Sequence, residues 1–169
     1  DLCAITSGRA TALSADDDYY IDESYHFDYT YQGHKYVCYK TYLSGDDVED
    51  ANIQGVAIKY SPTNAIGAPG GTLNVPAKVS LNPAYNPDED EDVDVNDSNG
   101  YKVVVIASGA FARTNFGTIN IPNSVREMKS EAFAYCMEMT SFTFSYGIRQ
   151  IFPSTFMDCR KLNRIYYRG

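Results

Sequence analysis

The sequence predicts a short β-rich solenoid of the α/β type, with a small β module stacked at its N-terminal side. Three observations in the 169-residue chain predict it. Apolar residues recur at a fixed period of 23 near the C-terminus: Val125 and Ile148, Met128 and Ile151, Phe133 and Phe156, Cys136 and Cys159, Met139 and Leu162, Phe142 and Ile165, Phe144 and Tyr167. A third copy lies upstream at a spacing of 22, pairing Val103 with Val125, Ile106 with Met128 and Ala110-Phe111 with Ala132-Phe133. Within each unit, two-residue steps such as Phe142 to Phe144 mark a strand whose alternate side chains point inward. One unit cannot bury such a face alone, whereas stacked units make a continuous core. The spacings of 3, 4 and 5 elsewhere in the unit predict turns or helical turns.

Taken in order, residues 1–16 are expected to be a flexible segment, and residues 17–81 a β-rich cap. Tyr25, Phe27, Tyr29 and Tyr31 alternate with mostly polar residues; Tyr36, Cys38, Lys40 and Tyr42 follow. Gln32-Gly33 between them predicts a tight hairpin that pairs Tyr31 with His34, Tyr29 with Tyr36 and Phe27 with Cys38. Gly55 to Tyr60 is a further predicted strand, and Ser61 to Gly71, rich in Pro and Gly, a loop. Leu73-Asn-Val75-Pro76-Ala-Lys-Val79 looks like the strand half of an earlier repeat. Residues 82–100 are an inserted loop whose stretch Asp88–Asp97 carries seven carboxylates that repel one another. Residues 101–169 hold about three repeats. An open repeat stack exposes its apolar end, hence the capping role expected of residues 17–81.

Charge separates the parts further. Residues 1–100 carry 5 Lys/Arg against 18 Asp/Glu, a balance of −13, and residues 101–169 carry 9 against 4, a balance of +5. The net charge of −8 disfavours nucleic acid as a partner. The longest apolar run, Ala132 to Met137, is far below the roughly 20 residues of a membrane helix, so no membrane insertion is expected. The chain does not begin with a charged-then-apolar leader, so a signal peptide is expected to be already removed or never present.

The sequence offers little chemistry. His26 and His34 fall on opposite faces of the hairpin, and no G-x-S-x-G accompanies them, so no catalytic triad is expected. Four cysteines without a CxxC pair do not suggest zinc. Cys136 and Cys159 take equivalent positions of adjacent turns and are expected as buried, reduced thiols, with a disulfide the less favoured alternative. Cys3 and Cys38 would be the better disulfide pair in an exported protein. Asp88, Asp90, Asp92 and Asp94 alternate as calcium ligands do, yet lack the EF-hand glycine and glutamate, and are expected to be solvated. Asn96-Asp-Ser98 is an N-glycosylation acceptor. No cofactor or metal is expected.

The segments Ile119-Asn-Ile-Pro-Asn-Ser-Val125 and Val125-Arg-Glu-Met-Lys-Ser-Glu-Ala-Phe-Ala-Tyr-Cys136, continuing to Phe144, resemble the BspA-like (Treponema-type) leucine-rich repeat. Ala132-Phe133 with Cys136, and Ile119-x-Ile121-Pro122-x-x-Val125, carry the resemblance. Thr114 stands in the cysteine position of the first repeat, Thr155 replaces the alanine of the third, and Ser145 replaces the proline after the middle strand. The resemblance implies a short leucine-rich-repeat stack, exported or at the cell surface, that binds a protein or glycan in an adhesion-like role without catalysis. Its ligand-facing side would be the outward residues of the strands: Thr118 and Asn120, Ser141 and Thr143, Arg164 and Tyr166. Arg and Tyr are frequent at binding hot spots. The alternative is a structural element that dimerises or stacks through its C-terminal repeat, since an uncovered strand edge invites pairing.

Overall fold

The computed structural model describes residues 19–43, 55–64, 69–80 and 100–167. The predicted flexible segment 1–16, the acidic stretch 88–97 with its candidate calcium ligands, Asn96 and Cys3 lie outside the described residues.

The hairpin forms as β1 (Tyr19–Tyr31) and β2 (His34–Leu43). Gln32 and Gly33 both adopt positive φ, 49° and 79°, the geometry of a turn that matches strand twist. The pairs Tyr31–His34, Tyr29–Tyr36 and Phe27–Cys38 all occur, with His26 opposite Tyr39 on the other face. Phe27, Tyr36 and Cys38 are buried on the first face. β1 begins six residues before the predicted run, and its register shifts between Asp22 and His26.

β3 (Val56–Tyr60) pairs antiparallel with β2 and parallel with β6 (Tyr101–Ile106). A side chain at Gly55, whose φ is +129°, would put a Cβ 2.6 Å from the Lys102 carbonyl, so this close approach requires glycine. β4 (Thr72–Asn74) is the strand of an earlier turn, while β5 (Lys78–Val79) pairs antiparallel with β6. The remaining strands are β7 (Thr118–Asn120), β8 (Glu127–Met128), β9 (Ser141–Phe144), β10 (Gln150–Ile151) and β11 (Arg164–Tyr167). They form two sheets, β1-β2-β3-β6-β8-β10 with β5 attached to β6, and β11-β9-β7-β4.

The 23-residue period is therefore one circuit of the stack. Leu73, Ile119, Phe142 and Ile165 align across the four-stranded sheet, and Ile58, Ile106, Met128 and Ile151 across the larger one. Between the sheets, Phe111, Phe133 and Phe156 stack face to face at 5.4 and 5.5 Å, and Tyr60 approaches Phe111 at 6.0 Å. Thus β3 supplies both an aliphatic rung and an aromatic rung ahead of the first repeat. Tyr167 keeps its register with Phe144 but is 70% exposed against 5%, because no described strand stacks beyond β11.

The helical component of the expected α/β solenoid is corrected: no described residue is helical. The third side of each circuit is built of turns. Two left-handed residues recur four apart, Gly109 with Arg113, Glu131 with Tyr135, and Ser154 with Asp158. Single left-handed residues interrupt a right-handed helix. Backbone N–H groups on this side also bond to the next circuit, as in Phe111 to Ala132 (2.7 Å), Phe133 to Thr155 (2.9 Å) and Tyr135 to Met157 (2.7 Å).

The outer face of the larger sheet is partly covered by the start of β1. Glu127 is fully buried there. Its Oε1 accepts the Tyr19 backbone N–H at 3.0 Å, and its Oε2 lies 2.6 Å from Lys129 Nζ. Lys129 in turn donates to the Tyr19 carbonyl at 3.1 Å and sits 4.3 Å above the Phe152 ring. Two side chains of β8 and the residue after it thereby hold one residue of β1 by both its backbone groups.

Cys38, Cys136 and Cys159 are free and buried. Thr114 completes the cysteine column, its Oγ1 3.6 Å from Cys136 Sγ. Cys136 and Cys159 donate to the Phe111 and Phe133 carbonyls at 3.1 and 3.0 Å. Burial, aided by Asp28, pushes the Cys38 thiol well above its usual range. Hydrogen bonding to Cys136, followed by burial, does the same for Cys159. Because the thiolate is the nucleophile, Cys38 and Cys159 are expected to resist iodoacetamide at neutral pH in folded protein and to react once it is unfolded. Mass spectrometry of the alkylated peptides measures this; prompt labelling of either residue in the native state would contradict the packing.

Candidate functional site

The six predicted surface residues are strand residues that alternate with the buried Ile119, Phe142 and half-buried Ile165, and so emerge on one face. Parallel pairing brings them together in two columns. Thr118, Ser141 and Arg164 share one register position, and Asn120, Thr143 and Tyr166 the other. β4 adds a fourth rung that the sequence reading left out. Thr72 aligns with Thr118, and Asn74 with Asn120. The signal was present, since both lie 46 residues upstream of their partners, twice the period, and flank Leu73.

Hydrogen bonds link neighbouring rungs within each column. Thr118 Oγ1 and Ser141 Oγ lie 3.1 Å apart, and Asn120 Nδ2 donates to Asn74 Oδ1 at 2.8 Å. These bonds fix rotamers and leave further lone pairs and N–H groups for a ligand. Arg164 is exposed and makes no ion pair among the described residues, and Tyr166 is 51% exposed. None of the eight positions bears a carboxylate, although the chain holds 22. Acids near β9 and β11 in the chain are already engaged: Glu138 with Lys161 at 2.8 Å, and Asp158 with Arg160 at 3.9 Å.

Other groups make no comparable arrangement. His34 Nδ1 lies 2.9 Å from the Tyr60 hydroxyl, its ring edge-on to Phe116 at 5.6 Å, so it belongs to the aromatic packing of the hairpin. His26 is exposed beside Tyr39, 6.2 Å away. The two histidines do not converge with each other or with a nucleophile. Among the described residues no cluster of three or more His, Cys, Asp or Glu could hold a metal ion, and no helix is long and apolar enough to cross a membrane.

Known proteins resemble parts of the chain. The model of the BspA type leucine rich repeat region (6 copies) matches residues 96–169. A leucine-rich repeat protein from Bacteroides capillosus ATCC 29799 is similar at 19% identity over 77% of this chain and 94% of that one, with a TM-score of 0.38. No curated relative matches. The match covers the turns whose Ala-Phe, Cys and Ile-x-Ile-Pro positions form the stacked columns, and residues 96–169 are thus similar to the leucine-rich repeats of the BspA type.

Proposed function

We propose that the chain is a noncatalytic binding module, exported or displayed at a cell surface, which holds a protein or glycan on the outward face of β4, β7, β9 and β11. Proteins of this repeat family are generally noncatalytic and bind partners through the repeats. One observation carries the reading. Four in-register strands present two columns of hydroxyl, amide, guanidinium and phenol groups, without a carboxylate, on a rigid sheet. A site on strands is more precisely held than one on loops. Residues 17–81 act as the cap of the stack, consistent with the rungs that Ile58 and Tyr60 add to the core columns.

The test is an array of extracellular-matrix proteins and glycans probed with the full chain and with a Thr118→Ala, Asn120→Ala, Thr143→Ala variant. The variant is expected to lose at least tenfold in affinity for whatever partner the wild type finds, with a melting temperature within a few degrees of the wild type. Equal loss from Lys102→Gln, exposed on the other sheet, would sink the assignment of this face.

A further inference from the structure

Resting on that reading of the face, we infer that its ligand is an acidic polysaccharide: a 1,4-linked pyranose chain bearing carboxylates, lying along the direction in which the strands stack. Spacing is the first argument. In-register strands repeat every ~4.8 Å, an advance comparable with that of one sugar in such a chain. Successive rungs can therefore meet successive sugars with the same kind of group, as Asn74, Asn120 and Thr143 do in one column. Hydroxyl and amide groups that both donate and accept suit sugar hydroxyls, which do the same.

The size and polarity of the face are the second argument. Four rungs and two columns cover roughly 14 by 7 Å, far less than the ~800 Å² per partner of an ordinary protein interface. The centre of the face is polar and its one aromatic ring sits at the end rung, the reverse of a protein interface with an apolar core and polar rim. A narrow polar track that ends in an exposed aromatic ring fits a saccharide, whose C–H faces pack on aromatic rings while its rim hydrogen-bonds.

Charge is the third. Arg164 and Tyr166 stand two residues apart on one strand and so on the same face. The guanidinium has a planar fork that binds a carboxylate through two hydrogen bonds. It makes no ion pair among the described residues. The chain as a whole is acidic, but charges more than ~8 Å away are largely screened at physiological salt, so local side chains decide the sign a ligand meets. A sugar carboxylate on Arg164 with a neighbouring ring on Tyr166 uses both end-rung groups at once.

Calorimetric titration of the full chain with oligogalacturonate, and with a neutral 1,4-linked glucan of equal length, tests this. Oligogalacturonate is expected to bind and the neutral chain to bind at least tenfold more weakly. Arg164→Gln should remove about tenfold of the oligogalacturonate affinity and most of its salt dependence between ~0.05 and ~0.5 M. Tyr166→Ala should weaken binding severalfold at either salt, and Lys102→Gln should leave it unchanged. Equal binding of the two saccharides, or equal loss from Lys102→Gln, overturns the acidic-saccharide assignment. If the array instead gives a protein partner whose binding needs Asn120 and Thr143, the saccharide inference falls and the binding face stands. If oligogalacturonate binds but none of the face variants weakens it, both fall.

Discussion

Replacing Phe133 with alanine is expected to lower the free energy of unfolding by about 3–5 kcal/mol, the range for a fully buried aromatic that leaves a cavity. Phe133 has no solvent exposure. It stacks on Phe111 and Phe156 with interplanar angles of 7° and 11°, and meets Phe142 edge-on at 5.0 Å. Removing it takes the middle member out of a column whose neighbours are fixed by backbone bonds between circuits, so the gap cannot close easily. Phe156→Ala, at the outermost described circuit, loses packing on one side and should cost less. Urea unfolding of the two variants gives the comparison. A Phe133 variant no less stable than the Phe156 variant would show that the column does not act as a continuous core.

Glu127→Ala is expected to cost about 3 kcal/mol, as when one partner of a buried ion pair is removed. The loss leaves Lys129, whose side chain is only 16% exposed, without its anion and the Tyr19 N–H without its acceptor. Lys129 also holds the Tyr19 carbonyl, so the start of β1 should loosen from the sheet. Replacing both residues, Glu127→Leu with Lys129→Met, should recover much of the stability, because the desolvated charge is then gone along with its partner. Urea unfolding measures the energies, and hydrogen exchange at the Tyr19 amide measures the release. Unchanged protection of that amide in Glu127→Ala would contradict the assigned contact.

Local and periodic features were legible in the sequence. Gln32-Gly33 between alternating aromatics sets the hairpin register, because a two-residue turn leaves one way to pair the flanking strands. The 22- and 23-residue spacings name the residues that stack, because each circuit must return a buried side chain to the same position. The outward columns follow from the same spacing, and Thr72 and Asn74 could have been added by doubling it. The choice between turns and helical turns stayed open in the sequence because spacings of 3 to 5 fit a helix and a chain of tight turns equally well. What separates them is the left-handed backbone of residues such as Tyr135 and Asp158, which neither side chain announces.

The sequence by itself determined which residues of the repeats form each rung and which way their strand residues face, since both depend only on separation along the chain. Only the tertiary structure decided what lies beside the first repeat. β3 joins β6 in parallel although residues 61–100 separate them in the chain, so Ile58 and Tyr60 extend core columns at separations of 48 and 51 residues that match no period. It also decided that Glu127, a charged residue on an outward position, is a buried anchor. Its partner Tyr19 is 108 residues away, and contacts between such distant segments are set by how the whole chain packs.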